Sequence, residues 1–124
     1  MTKETVEKYV QALDGKSLAT VRGGEKNENG AIIMPWVDYD DVIIDLMEDF
    51  FESDFVDYNY RLNSEGLINK KDPDLSRIAS FSKAEIGTCL TYIFRGERFC
   101  TGHVLSFLES GVLVALLRRL TEML

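Results

Sequence analysis

Hydrophobic positions recur at three- and four-residue intervals over most of this chain, which predicts a mainly helical protein. Val6, Tyr9, Val10 and Leu13 set a first helix over Thr5 to Asp14, with Gly15 as its C-terminal cap. The period then shortens. Ser17 to Arg22 and Ala31 to Val37 read as two strands joined by the polar, glycine-flanked stretch Gly23 to Gly30, a long hairpin turn. In the second strand Ile32, Met34 and Trp36 share one face, and Ile33, Pro35 and Val37 the other. Pro35 has no N–H to donate, so it should face outward from an edge or end the strand.

Helical spacing returns over Asp41 to Glu52, with Asp38 or Asp40 as the N-cap. Ser53 to Lys71 carries turn signals at Asn63 to Gly66 and Lys70 to Pro73, and Phe55, Val56, Tyr58 and Tyr60 fit either an extended piece or a helical turn. Asp74 is placed to cap a short helix over Leu75 to Ala79. Ser82-Lys83-Ala84-Glu85 matches a capping box and opens a helix whose core stripe is Ile86, Cys89, Leu90, Ile93 and Phe94. The last quarter is the most apolar, and from Val112 to Leu117 apolar side chains run all the way round. Ser110-Gly111 kinks that helix or divides it in two. Such a helix is either the centre of a core or half of an oligomer interface, and a homodimer is expected. The fold class is α+β: helices built around an apolar C-terminal helix, with one small antiparallel hairpin, in a single domain over 1–124.

Composition narrows the function classes. At 124 residues with 45% hydrophobic and 28% charged positions, the chain can bury a core without staples. Two cysteines, Cys89 and Cys100, both in apolar segments, point to a reducing, cytoplasmic setting, and the polar N-terminus shows no leader. The longest apolar run is far short of the ~20 residues that span a bilayer. A net charge of −7 disfavours direct contact with nucleic acid and with anionic membranes. No cofactor motif is present: Gly23-Gly24 lacks the third glycine and following helix of a nucleotide fingerprint.

The charge is unevenly laid out. Asn27 to Tyr60 contains no Lys or Arg against ten acids. On the helix, Asp41, Asp45, Glu48, Asp49 and Glu52 form one face, and Val42, Ile43, Ile44, Leu46, Met47, Phe50 and Phe51 form the rest. The like-charge neighbours on that face cost the helix on the order of 1–2 kcal/mol. Lys or Gln would solvate the face equally well, so local folding does not require the acids. One reading is a docking face for a basic protein surface, extending to inhibition of a basic, nucleic-acid-binding protein. The other is a solvated face neutralised within the fold by Arg61, Lys70, Lys71 or Arg77. Asp38-Tyr39-Asp40-Asp41 lacks the glycine and distant glutamate of a calcium loop.

Two further groups could carry chemistry. Cys100 and His103, at i and i+3, could pair a thiol with the chain's single histidine, with Glu109 nearby; packing roles in an apolar segment are the alternative. Cys89, Cys100 and His103 lack the paired spacing of a structural zinc site. Arg95, Arg98, Arg118 and Arg119 could clamp a phosphate or carboxylate in fork geometry; alternatively Arg95 and Arg118-Arg119 suit the last turns of helices, where they complement the dipole, whereas Arg98 sits in a loop and could hold helix-end carbonyls or an anionic ligand. A small enzyme or anionic-ligand-binding protein using Arg98, Cys100, His103 and Glu109 is therefore the alternative to a non-catalytic interaction module.

The run Arg98-Phe99-Cys100-Thr101-Gly102-His103, followed by Phe107-Leu108-Glu109-Ser110-Gly111 and Leu116-Leu117-Arg118-Arg119-Leu120, resembles a small bacterial family of uncharacterised proteins, domain-of-unknown-function family six-five-zero-eight. Gly23-Gly24-Glu25, Met34-Pro35-Trp36 and Tyr39 are similar to that family's middle portion. Asp57-Tyr58-Asn59-Tyr60 departs from the aromatic-acidic-tryptophan triplet expected there. The resemblance covers about two-thirds of the chain and implies a bacterial or phage origin, with no activity attached.

Overall fold

The computed structural model describes residues 1–14, 18–68 and 75–124. The expected cap at Gly15, strand start at Ser17, turn at Lys70 to Pro73 and cap at Asp74 lie outside them. Within them, seven helices accompany one two-stranded antiparallel sheet, the mainly helical α+β architecture that the periodicity predicts.

Helix α1 (Lys3–Leu13) starts two residues earlier than the spacing predicts, because the Thr2 hydroxyl accepts the Thr5 N–H as an N-cap. It lays Val6, Tyr9 and Leu13 against the C-terminal helix α7 (Val112–Met123) and touches α2 (Asp41–Phe51). The cap of α2 is Asp40, whose carboxylate accepts the Val42 N–H; Asp38 belongs to the preceding strand.

Strands β1 (Ala19–Arg22) and β2 (Trp36–Tyr39) pair Ala19 with Tyr39 and Arg22 with Trp36. The second strand thus lies C-terminal to the expected Ala31 to Val37. Lys26 and Ile32 bridge in the same register as Arg22 and Trp36, which sets Pro35 opposite Gly23, and there the regular ladder breaks: the Gly24 N–H donates to the Ile33 carbonyl at 2.7 Å. Gly23 adapts with φ +84°, and a Cβ there would sit 2.7 Å from the Met34 carbonyl oxygen. Beyond this break the arm continues to a tight turn, where the Asn27 side chain accepts the N–H groups of Asn29 and Ala31. Ile32, Met34 and Trp36 are all exposed on the arm.

After α2 the chain makes turns and a short helix α3 (Tyr60–Asn63), and α4 (Leu75–Ile78) precedes α5 (Lys83–Gly96). Both bonds of the capping box form: the Ser82 hydroxyl accepts the Glu85 N–H, and the Glu85 carboxylate accepts the Ser82 N–H. Ser110-Gly111 divides the C-terminal region into α6 (His103–Glu109) and α7. Packed by α1, α4, α5 and α6, α7 buries Val112, Leu113, Leu116, Leu117 and Leu120. Its all-round apolar composition is therefore used inside one chain. Arg118 and Arg119 lie before the last turn of α7, not in it as expected; Arg119 donates to the Phe81 carbonyl at 3.2 Å and pairs with Glu122.

The face of α5 that receives the segment after α2 is lined by small residues. Gly87 lies under the Phe55 carbonyl, and a Cβ at Gly87 would collide with that oxygen. Helix propensity alone favours alanine over a mid-helix glycine by about 1 kcal/mol. Here the contact reverses the sign: Gly87→Ala should destabilise the fold by about 1–3 kcal/mol in urea denaturation. A stabilised variant would show that the segment does not pack as described.

Candidate functional site

The acidic face predicted on α2 is present. Asp41, Asp45, Glu48 and Glu52 are exposed, and Ile43, Leu46 and Phe50 are buried on the opposite side. Asp49 is half-buried and accepts a hydrogen bond from the Tyr9 hydroxyl of α1; burial, with that carboxylate alongside, raises the Tyr9 pKa well above its ordinary value. Among the described residues none of these five carboxylates forms an ion pair: the pairs are Arg22 with Asp38 and Arg119 with Glu122. Arg61 lies over the Phe99 ring at 5.6 Å, and Lys70 and Lys71 fall outside the described residues. Arg77 forms no ion pair with α2. The last turn of α2 has no basic residue, so Glu48, Asp49 and Glu52 also face the negative end of the helix dipole.

Beside this face α2 opens onto a cleft of about 770 Å³. Ile44, Met47 and Phe51 form its α2 wall, with Glu48 and Glu52 on the lip; Ile44 is 45% exposed. Val56 and Tyr58 come from the following segment, Phe94 and Arg95 from α5, and Tyr39 from β2. Glu97 and Arg98 close the far end. The Arg95 guanidinium lies 5.4 Å from the centre of the Phe51 ring, a cation–π contact. Its Nε is shielded from solvent and has no hydrogen-bond acceptor among the described residues.

Glu97 is a structural hinge point of this end. Its carboxylate accepts the N–H groups of Gly102 at 2.8 Å and Val104 at 2.9 Å and a bond from the Tyr39 hydroxyl. Tyr39 in turn accepts the Leu105 N–H at 3.0 Å. Burial, then the bond to Glu97, raises the Tyr39 pKa, so the hydroxyl stays protonated across the physiological range.

A neighbouring depression of about 430 Å³ shares Tyr58, Arg95 and Arg98 with the cleft and adds Arg61, Asn59, Tyr60, Leu62 and Phe99. It has no carboxylate in its wall. Of these three arginines the sequence offered Arg95 and Arg98 as anion clamps, Arg95 also as a dipole complement in the last turn of α5, and Arg61 only as a neutraliser of the acidic face; Arg61 arrives from α3.

The remaining candidates separate. Cys100 and His103 do line one shallow depression, together with Arg61 and Phe99. Arg98 is outside it, and Glu109 is an exposed residue at the end of α6 that lines none of these cavities. His103 is 5% exposed, packed edge-on against Tyr92 and Phe107, and its ring occupies the space that a side chain at Gly96 would take. Cys89 lies in the core, where burial pushes its thiol up to about 12. Among the described residues no group of three or more His, Cys, Asp or Glu is placed to hold a metal ion, and no helix is long and apolar enough to cross a membrane.

Sequence reading counted Asp57 only as part of the acidic block, yet it fixes the segment that walls the cleft. Its carboxylate accepts from the Thr88 hydroxyl at 2.6 Å, the Asn63 amide at 3.0 Å and the Asn59 N–H at 2.8 Å, and its own N–H donates to Thr91. The Thr88 bond, then the Asn63 bond, hold its pKa below the ordinary carboxylate value. A carboxyl whose folded pKa is depressed stabilises the fold above its unfolded pKa, near 4, and that contribution fades as pH falls through the folded value. Asp57→Ala should therefore cost about 2 kcal/mol at pH 7. The gap to the wild type should narrow below about pH 4, as measured by urea denaturation across pH. A gap that does not change with pH would show that the charge on Asp57 is not what these bonds hold.

No curated protein and no solved structure matches the chain. The model of a family of unknown function (DUF6508) matches residues 3–124, which spans the hairpin, α2, the cleft and the C-terminal helices alike. The protein belongs to the DUF6508 family.

Proposed function

We propose that this chain is a non-catalytic protein-interaction module whose helix α2 docks a basic surface on a partner protein. One observation carries the reading: Asp41, Asp45, Glu48 and Glu52 are exposed, and no Lys or Arg among the described residues is paired with them. Repulsion along the helix is left unrelieved by any ion pair among the described residues, and a cationic partner would relieve it. The exposed Ile44 beside these carboxylates supplies apolar area, which rim charges alone do not. In a bacterial or phage setting, a partner of this chemistry includes basic proteins that bind nucleic acid, which the module would inhibit by covering their basic face. The enzyme reading has less geometric support, because Arg98 and Glu109 stand apart from the depression that Cys100 and His103 line.

The test is the triple variant Asp45→Asn, Glu48→Gln, Glu52→Gln. Removing the repulsion should stabilise the fold by about 1 kcal/mol, a rise in Tm of about 3–6 °C. The wild type should capture basic proteins from bacterial lysate in a salt-sensitive way, and the same variant should lose that capture. An unchanged capture profile in a folded variant would remove the docking role.

A further inference from the structure

We propose that the arginine-lined depression and the adjoining cleft together form a binding site for a small organic phosphate, the phosphate held by Arg61, Arg95 and Arg98 and the apolar body seated against Phe51, Phe94 and Met47. In a chain with 21 acidic and 14 basic residues, three arginines meet in one depression with no carboxylate among its lining residues, while Glu48, Glu52 and Glu97 line the adjoining cleft. None of the three is in an ion pair among the described residues. Glu97, the acid nearest in sequence, is occupied by the Gly102 and Val104 N–H groups and the Tyr39 hydroxyl.

The Arg95 Nε points to a missing acceptor. A buried donor left without one is destabilising, and guanidinium is more weakly hydrated and more rigid than ammonium, suited to oxygens presented as a fork. Phe51 stacks on the same guanidinium and holds it in the wall shared by both cavities. Three guanidinium groups match the near-dianionic charge of a phosphate monoester better than a single carboxylate. Beyond Arg95 the wall turns apolar and aromatic, and about 770 Å³ lies within the range of small-molecule sites. Tyr58 lines both cavities and can cover the ligand between head and body.

The site is independent of the docking role of α2, and its test separates the two. Titration calorimetry of the full chain would compare 1-naphthyl phosphate with 1-naphthol, 1-naphthoate and inorganic phosphate. Naphthyl phosphate should bind saturably and at least tenfold tighter than each of the other three. Arg95→Gln and Arg98→Gln should each weaken it about tenfold while leaving naphthol unchanged, and Ile44→Trp, at a partly exposed position, should weaken naphthyl phosphate and naphthol but not inorganic phosphate. Arg98 is exposed, so its variant decides the matter if Arg95→Gln fails to fold. The variant Asp41→Asn, Asp45→Asn, at positions of the acidic face that line neither cavity, should still bind naphthyl phosphate. Equal binding of the phosphate and naphthol or naphthoate, wild-type affinity in Arg98→Gln, or the lack of saturable binding would each overturn the site.

Discussion

The Glu97 carboxylate is the constraint on which this end of the molecule depends. It stands just past α5, reaches forward to the N–H groups that open α6, and accepts from the Tyr39 hydroxyl of β2. A bond to a charged acceptor contributes about 1.5–3 kcal/mol, more than a neutral one. The end of α5, the start of α6 and a strand residue 58 positions upstream of Glu97 are thereby joined at one side chain. A two-stranded ribbon is marginal in water by itself, so the hairpin needs such an anchor. The turn that carries Arg98 is held by the same carboxylate, so the placement of the basic groups around the cleft follows from a residue that faces inward.

What was legible in the sequence was local. The α2 pattern, the capping box of α5 and the break at Ser110-Gly111 each depend on residues within a few positions of one another, and the structure forms all three. The second strand was misplaced because the alternation of Ile32, Met34 and Trp36 does not state the register or where the ladder breaks. Arg118 and Arg119 were assigned to a helix end that comes later than the charge suggested.

The candidate site was legible on one side only. Five acids on one helix face announce themselves by period, so α2 could be read directly. The arginine cluster could not, because Arg61 meets Arg95 and Arg98 only after α3 folds back onto α5. Asp57 carried no signal either: in the sequence it is one acid among ten, and only the position of Thr88 and Asn63 distinguishes it. A spacing that the fold creates has no signature in the chain.

Glu48, Glu52, Arg95 and Arg98 all line the cleft and could be expected to pair, yet they form no ion pair with one another. Energetics explains why they need not. An exposed pair contributes between nothing and about 1 kcal/mol, less than the conformational entropy lost by fixing two long side chains. Arg95 is held instead by the Phe51 ring, which keeps its charge near the apolar wall at the cost of an unsatisfied Nε. A side chain selected for stability alone would be methionine or leucine here, packing on Phe51 with no donor to desolvate. Retaining a guanidinium at that position makes sense when its missing acceptor is brought by something that enters the cleft, and the acidic lip then stays free to face a different, cationic surface.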